Sequence, residues 1–136
     1  MTTLFGQEHV DRYRETDGEE GYVWREGSTV LLLTTYGRKT GKPTTTPLIF
    51  DLDDGGNPVV VASKGGAPEH PGWYRNMLEN PHVEVQIKGE RFHAHPRVAE
   101  GEERERLWTQ MNRMWRHYDE YQTKTDREIP VVVLER

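Results

Sequence analysis

Three cations in one short turn are the first residues that could do chemistry. Arg38, Lys39 and Lys42 lie within the segment Gly37-Arg-Lys-Thr-Gly-Lys-Pro43, whose glycines and proline predict a turn between two strands. Backbone N–H groups of a turn, beside clustered cations, can bind a phosphate or a carboxylate. The spacing is not that of a P-loop, because only three residues separate the two glycines and a proline follows Lys42. An anion site and an ordinary solvated hairpin turn both fit this segment.

A second polar motif is Ser63-Lys64-Gly65-Gly66, where a predicted strand runs into two glycines. Glycine lets a backbone approach a flat or charged ligand closely. A helix predicted to begin with Pro71 at its first position would add N–H groups that carry about half a positive charge. A purely structural loop is the alternative. His70 in the same segment is interpreted as a loop residue rather than a general base.

Aromatic residues recur late in the chain, where the spacing predicts one helix from Glu100 to about Tyr121. Trp115, Tyr118 and Tyr121 follow one another at every third residue, which would place them along one stripe of that helix. Taken alone, the stripe indicates core packing with the hydroxyl groups at its edge. No Ser-His-Asp arrangement or carboxylate pair supports a hydrolase, and two histidines on one strand without further ligands predict no metal site.

Composition limits the remaining possibilities. The 136 residues fit one domain, in which residues 1–28 form an N-terminal helical segment and loop. The absence of cysteine excludes disulfides, thiolate metal sites and a cysteine nucleophile, and the net charge of −5 argues against general nucleic-acid binding. The N-terminus lacks the features of a signal peptide, and the longest apolar run is far shorter than a membrane span. We therefore expect a cytoplasmic protein without a membrane span.

Six strands and three helices are predicted to position these residues. The predicted strand that begins at Thr44 contains Pro47, which favours a bent strand or an edge position in the sheet. Hairpin connections between most strands, with helices outside, predict an α+β fold built on an antiparallel barrel or sandwich. The predicted strands cover residues 29–36, 44–51, 58–64, 82–88, 92–98 and 130–134, and the predicted helices residues 7–16, 72–79 and 100–121.

Two long motifs resemble the deazaflavin-dependent nitroreductases, also called F-420-dependent reductases. The first is Leu32-Leu-Thr-Thr-Tyr-Gly-Arg-Lys-Thr-Gly-Lys-Pro43 followed by Pro47-Leu48, and the second is Val60-Val-Ala-Ser-Lys-Gly-Gly-Ala-Pro-Glu-His-Pro-Gly-Trp-Tyr-Arg-Asn76. Asn80-Pro81-His-Val83, Tyr118-Asp-Glu-Tyr121 and Arg127-Glu-Ile-Pro-Val131 are also similar. The resemblance implies a split β-barrel of the FMN-binding split-barrel type with flanking helices. It also implies an oxidoreductase that transfers hydride from reduced coenzyme F-420, an 8-hydroxy-5-deazaflavin, to a quinone, an enone or a nitroaromatic.

The resemblance also assigns site residues. Ser63, Tyr118 and Tyr121 would border the acceptor pocket, where a tyrosine hydroxyl could donate to the acceptor as charge develops. The phosphate and oligoglutamate tail of the coenzyme would explain the clustered cations of an acidic chain. The residues implied in cofactor binding are Arg38, Lys39, Thr40, Gly41, Lys42, Thr45, Thr46, Pro47, Leu48, Ile49, Phe50, Val61, Ala62, Ser63, Lys64, Gly72, Trp73, Tyr74, Arg75, Asn76 and Tyr118.

Other functions fit part of the same pattern. An FMN-dependent split-barrel reductase would also need a phosphate site, so FMN is the alternative cofactor. A non-catalytic protein that stores or carries the deazaflavin, or a scaffold barrel without a ligand, would share the fold. The expected partner is a small-molecule hydride acceptor, and the expected assembly is a monomer or a homodimer that binds no nucleic acid.

Overall fold

The computed structural model describes residues 4–136, so the first three residues of the predicted N-terminal segment lie outside the described part. Its helices are α1 (Gly6–Thr16), α2 (Gly72–Glu79), α3 (Gly101–Met114) and α4 (Tyr118–Thr123). Its strands are β1 (Val30–Tyr36), β2 (Pro43–Ile49), β3 (Asp51–Leu52), β4 (Pro58–Val61), β5 (Val83–Ile87), β6 (Glu90–Val98) and β7 (Val131–Glu135). None of the helices in residues 4–136 combines the length and the apolar character that crossing a membrane requires.

The strands form one curved antiparallel sheet in the order β2-β1-β5-β6-β7-β4-β3. Strand β6 connects the two halves, because residues 90–94 pair with β5 whereas residues 95–98 pair with β7. Strand β2 lies at an edge, as Pro47 predicted, and a proline at an edge removes no hydrogen bond that a central ladder needs. The antiparallel split barrel with flanking helices is therefore confirmed.

Both faces of β1 are covered, which explains its continuous apolar sequence. Leu31 and Leu33 belong to the core cluster that includes Trp73 and Met77 of α2. Val30 and Leu32 point the other way and pack against Val10 and Tyr13 of α1. A strand buried on both faces has a continuous apolar sequence, whereas a strand with one solvent-exposed face alternates between apolar and polar residues.

The other half of the sheet is covered by α3 and α4. Val59 and Val61 of β4 pack with Val131 and Val133 of β7 against residues of the late helices, among them Leu107, Met111, Trp115 and Tyr118. Val60 and Val132 face the opposite side and join the cluster under α2. The short valine runs thus form a central layer between two groups of helices.

Two predicted strands were wrong in detail, and the sheet has seven strands over the described residues rather than six. The predicted strand 44–51 is divided at Phe50, whose buried ring enters the core while the chain passes from β2 in one half of the sheet to β3 in the other. The predicted strand 58–64 ends at Val61, because Ser63 has helical dihedral angles and Lys64–Gly66 form a 3-10 turn. Pro71 is the N-cap residue of α2 and not its first helical position, whereas the predicted bounds of α2 are confirmed.

The predicted single helix 100–121 was also wrong. The chain leaves the helical conformation at Trp115 (φ −145°, ψ 94°), which separates α3 from α4. The Trp115 ring stacks on Trp24 at 5.6 Å and packs against His117 at 4.6 Å between ring centroids. Asn112 and Trp108 of α3 both donate to Asp119 Oδ1, at 2.9 and 2.7 Å, so α4 is fixed against α3 in a new direction. Trp115, Tyr118 and Tyr121 therefore do not lie on one continuous stripe.

Candidate functional site

Helix α2 holds the cationic turn in place. The Asn76 Oδ1 accepts hydrogen bonds from the Arg38 backbone N–H at 3.2 Å and from Arg38 Nη1 at 2.8 Å. The Asn76 side chain is buried, and its Nδ2 donates to Thr35 Oγ1 at 3.3 Å. One amide thus joins the end of β1, the turn and α2. The two sequence motifs that are 38 residues apart meet at this contact.

The three cations of the turn have different environments. Arg38 is half-buried and uses part of its guanidinium on Asn76, whereas Lys39 and Lys42 are exposed. Neither lysine forms a salt bridge with another residue between 4 and 136. A carboxylate near either lysine would weaken an anion site, and none pairs with them here. The exposed charges are therefore available to a bound phosphate or carboxylate.

The glycine loop has the backbone shape of an anion-binding nest. Ser63 is right-handed (φ −81°, ψ −40°), and Lys64 follows with a positive φ of 47°. Such a change of hand directs successive N–H groups into one concavity. The N–H groups of Lys64 and Gly65 make no backbone hydrogen bond within the described chain. These donors are left for an anion or for water.

The Lys64 side chain pairs with Glu69 Oε1 at 3.0 Å, and the hydrogen bond from Lys64 lowers the pKa of the Glu69 carboxyl. Both side chains are about half exposed, with relative exposures of 46% and 59%. An exposed pair of this kind contributes little free energy, because water screens both charges. The Lys64 ammonium can therefore exchange Glu69 for a ligand anion at small cost.

Gly65 and Gly66 differ in the space that surrounds them. A Cβ on Gly66 would lie 2.6 Å from the Tyr121 carbonyl oxygen, because this residue packs directly against α4. No atom lies within 4 Å of a Cβ built on Gly65, which is exposed. Gly66 therefore serves contact with the protein itself rather than with a ligand, and only Gly65 leaves open space beside the nest.

Arg127 binds the backbone carbonyl oxygens of the glycine loop, and the sequence did not point to this role. Its guanidinium donates to the carbonyl oxygens of Ala62 (3.2 Å), Ser63 (2.8 Å) and Ala67 (2.9 Å), and Nη1 lies 3.1 Å from His70 Nδ1. Burial lowers the pKa of the Arg127 guanidinium. The residue lies inside the tail motif that resembles the family, but a single arginine in an irregular segment carries no spacing signal.

His70 is half-buried between Arg127 and α2. Its ring packs on Tyr74 at 4.8 Å between centroids. Burial, followed by the nearby charges of Arg127 and Arg75, lowers the pKa of the imidazole. His70 is therefore neutral at neutral pH.

The two predicted catalytic tyrosines differ in exposure. Tyr118 is buried, with a relative exposure of 4%, and burial raises its pKa well above the usual range. No hydrogen bond joins the Tyr118 hydroxyl to another residue of the described chain. Tyr121 is half-buried, and its hydroxyl accepts a hydrogen bond from Trp115 Nε1 at 3.3 Å. The Tyr118 side chain is buried as a whole while its hydroxyl bonds to no other described residue, so this hydroxyl is left for a ligand or for water.

The predicted ring-side strand presents its side chains to two opposite faces. Thr46 and Leu48 lie opposite Leu33 and Leu31 in the ladder, on the core side of β1. Thr45 lies opposite Thr34, bonds to its hydroxyl at 2.7 Å and accepts from Arg14 Nη2 at 2.8 Å on the α1 side. The six residues from Thr45 to Phe50 therefore cannot all contact one ligand with their side chains, although β2 is an edge strand of the sheet.

The remaining predicted residues are divided between core and surface. Val61 and Ala62 are buried on opposite sides of the sheet, and Trp73 and Tyr74 pack into the core beneath α2. Exposed residues of the predicted set are Thr40, Gly41, Gly72 and Arg75. A cavity of about 100 Å³, lined by residues that include Trp24, Pro47 and Ile49, adjoins the predicted ring-side strand. The structure thus connects the cationic turn to α2 through Asn76, and the glycine loop to α2 through His70 and to α4 through Gly66.

Comparisons with known proteins show which family the chain resembles. A family model described as F420H(2)-dependent quinone reductase matches residues 5–136. A protein of Mycobacterium tuberculosis (strain H37Rv) named F420H(2)-dependent quinone reductase is 42% identical over 131 residues, which cover 94% of this chain and 87% of the relative.

Solved structures give the same result. One described as an F420-H2 dependent reductase is 45% identical with a TM-score of 0.71, covering 78% of this chain and 93% of its own. Another, described as a domain-swapped dimer, is 41% identical with a TM-score of 0.74, covering 95% and 96% of the two chains.

Proposed function

The chain belongs to the family of F420H(2)-dependent quinone reductases, and from this premise we propose that it transfers hydride from reduced coenzyme F-420 to an organic acceptor. A quinone is the acceptor class that the relatives' names favour, and enones and nitroaromatics are further acceptors of the same shape. The observation that carries the proposal is the nest of Ser63 and Lys64, whose N–H groups lie free within reach of the same α2 that fixes the cationic turn.

The residues present fit an anionic deazaflavin. The coenzyme carries a phosphate and an oligoglutamate tail, and when bound it supplies a hydride at C5 of its ring. We assign the anionic end to Lys39, Thr40 and Gly41, with Arg38 and Lys42 beside them. The nest and the Lys64 ammonium would hold the phosphate, because the N–H groups of a nest are already oriented toward an anion and the Lys64 ammonium can exchange Glu69 for it.

The protein's own part in the reaction is orientation and exclusion of water. The segments Val61–Lys64 and Gly72–Asn76 would clasp the cofactor, and the backbone edge of β2 would run beside its ring. Tyr118 and Tyr121, with Ser63, would border the acceptor. Because burial keeps the Tyr118 hydroxyl protonated, this group would donate a hydrogen bond to an acceptor oxygen as negative charge develops there.

Titration of the protein with F-420 and with FMN tests the cofactor. We expect F-420 to bind with a dissociation constant of about 1 µM or tighter, and the affinity to fall as salt rises, because exposed cations contribute to it. Calorimetry that shows FMN binding clearly tighter than F-420 would contradict the proposal in favour of a flavin enzyme. Binding of F-420 without any oxidation of its reduced form by a panel of quinones, enones and nitroaromatics would instead indicate a carrier protein.

We further infer that the assembly is a homodimer rather than a monomer. A solved structure of similar sequence is described as a domain-swapped dimer, and its chain is covered almost completely by this one. Light scattering across a range of protein concentrations distinguishes the two states. A single monomer mass at the highest concentration would contradict the inference.

A further inference from the structure

The guanidinium of Arg127 collects the carbonyl oxygens of one short loop. Ala62, Ser63 and Ala67 each direct a carbonyl oxygen at it, at distances between 2.8 and 3.2 Å. An arginine can only donate hydrogen bonds, and its rigid fork fixes the directions in which it donates. The orientation of several peptide groups in the loop is therefore set by a single side chain.

Two of these carbonyls determine where the nest points. In a trans peptide the C=O of one residue and the N–H of the next are antiparallel in one plane. The Ala62 and Ser63 carbonyls point at Arg127, so the N–H groups of Ser63 and Lys64 must point away from it. These N–H groups belong to the nest that the change of hand at Ser63 and Lys64 creates. Arg127 thus orients the donors of the nest without contacting what they bind.

The contact with His70 has a consequence for the imidazole. Nη1 of Arg127 donates to Nδ1 of His70 at 3.1 Å, so Nδ1 must be the unprotonated nitrogen. The neutral ring therefore carries its proton on Nε2. The groups that face the imidazole are Arg127, Arg75 and the Tyr74 ring, and the two positive charges oppose its protonation.

Helix α4 fixes Arg127 in turn. Gln122 Nε2 donates to the Arg127 carbonyl oxygen at 2.8 Å, and Gln122 Oε1 accepts from the Ile129 N–H at 3.0 Å. The loop meets the same helix through Gly66. A displacement of α4, which carries the two candidate tyrosines, is therefore transmitted to the loop through Arg127.

We propose that Arg127 is a positioning residue that aims the Ser63 and Lys64 N–H groups at a bound anion and holds His70 as the neutral Nε2–H tautomer. The identity of that anion as the cofactor phosphate rests on the proposed function. The orientation of the loop and the tautomer do not, since both are properties of the free protein.

The first experiment compares Arg127→Lys with Arg104→Lys. Lysine keeps the charge of Arg127 but loses the fork, so we expect the dissociation constant for F-420 to rise about tenfold or more, with kcat at saturating cofactor nearly unchanged. Arg104 is the matched control, because its Nη2 donates to the Ile129 carbonyl at 2.7 Å in the same tail but does not contact the loop. We expect Arg104→Lys to change the affinity by less than about twofold.

The second experiment needs neither a variant nor F-420. Long-range ¹H–¹⁵N spectra of the free wild-type protein should show His70 protonated on Nε2. Addition of inorganic phosphate should shift the amide signals of Ser63 and Lys64 but not that of Ala67, whose N–H already donates to the Lys64 carbonyl at 3.1 Å.

The outcomes separate the two proposals. Absence of F-420 binding by the wild-type protein, with the expected tautomer and amide shifts, would refute the proposed function and keep the role of Arg127. An Nδ1–H tautomer in the wild type, or unchanged F-420 affinity in Arg127→Lys, would overturn the positioning role whatever the cofactor. The spectra decide the question even if Arg127→Lys does not fold.

Discussion

Replacing Gly66 by alanine probes the contact between the glycine loop and α4. Gly66 has a φ of +86°, where an L-residue with a side chain is strained by about 1–2 kcal/mol. The new Cβ would lie 2.6 Å from the Tyr121 carbonyl oxygen and 3.1 Å from Lys124 Cβ, well inside ordinary van der Waals contact. One of the two elements must therefore move, and overpacking of this kind costs a further 1–3 kcal/mol or so. We expect Gly66→Ala to lower the free energy of unfolding by about 2–5 kcal/mol.

Gly65→Ala is the matched control, because it introduces the same atom one residue earlier. Gly65 also has a positive φ, of 62°, but no atom lies within 4 Å of the position that its new methyl group would take. Only the backbone strain remains, so we expect a loss of about 1–2 kcal/mol. The difference between the two variants isolates the contact with α4 from the cost of the backbone conformation.

Urea unfolding of both variants, with thermal melts, measures this difference. A gap of about 1–3 kcal/mol corresponds to roughly 4–12 °C in Tm for a chain of this size. Equal stability of the two variants would show that α4 yields freely at Gly66. The inference that a displacement of α4 is transmitted to the loop would then be refuted.

Five further substitutions test the site and its surroundings. Lys39→Ala should raise the dissociation constant for F-420 several-fold while the rate at saturating cofactor stays unchanged. The control Arg113→Ala, which removes an exposed cation of α3, should change neither quantity. A large loss of the saturated rate in Lys39→Ala would show that Lys39 has another role. Tyr118→Phe should slow single-turnover hydride transfer by at most ~2–4 kcal/mol of barrier without lowering Tm, because its hydroxyl has no protein partner to lose. Equal hydride-transfer rates in wild type and Tyr118→Phe would assign Tyr118 to the core. Tyr121→Phe, by contrast, should lower the free energy of unfolding by about 1 kcal/mol, because the hydrogen bond from Trp115 Nε1 is lost. Below about pH 6.5 the unfolded imidazole of His70 takes up a proton while the native one, with its lowered pKa, does not, so the wild type loses stability as the pH falls. His70→Gln should remove this part of the pH dependence. Urea midpoints that fall with pH as steeply in the variant as in the wild type would contradict this.

The elements that the sequence predicted well are those with local punctuation. Pro71 and Asn80-Pro81 mark the two ends of helix α2, because a helix does not readily extend through a proline, and the predicted bounds are confirmed. The predicted strand 29–36 contains four consecutive apolar residues from Val30, and in the structure α1 and α2 cover its two faces. In these cases the information lies within a few residues of the element it specifies.

The errors arose where distant residues decide. The helix break at Trp115 depends on stacking against Trp24, which is far away in the sequence, so the spacing of aromatic residues from 115 to 121 could not reveal it. Arg127 contacts residues 57 to 65 positions earlier, and no local pattern marks an arginine that binds carbonyl oxygens. The cationic turn and the glycine loop were predicted as candidates, but only the structure showed that Asn76 and Arg127 fix their shapes.

The position of β7 has a consequence for how the protein is made. Residues 131–135 come last among the described elements, yet they lie between β6 and β4 near the middle of the sheet. Until they leave the ribosome, β4 and β3 have no ladder connecting them to the other half, and one side of β4 has no strand to pair with. Long-range pairings of this kind form slowly and leave unpaired edges exposed meanwhile. The nascent chain therefore cannot close its sheet until residues 131–135 have been translated, and closure joins the two halves of the sheet in one step.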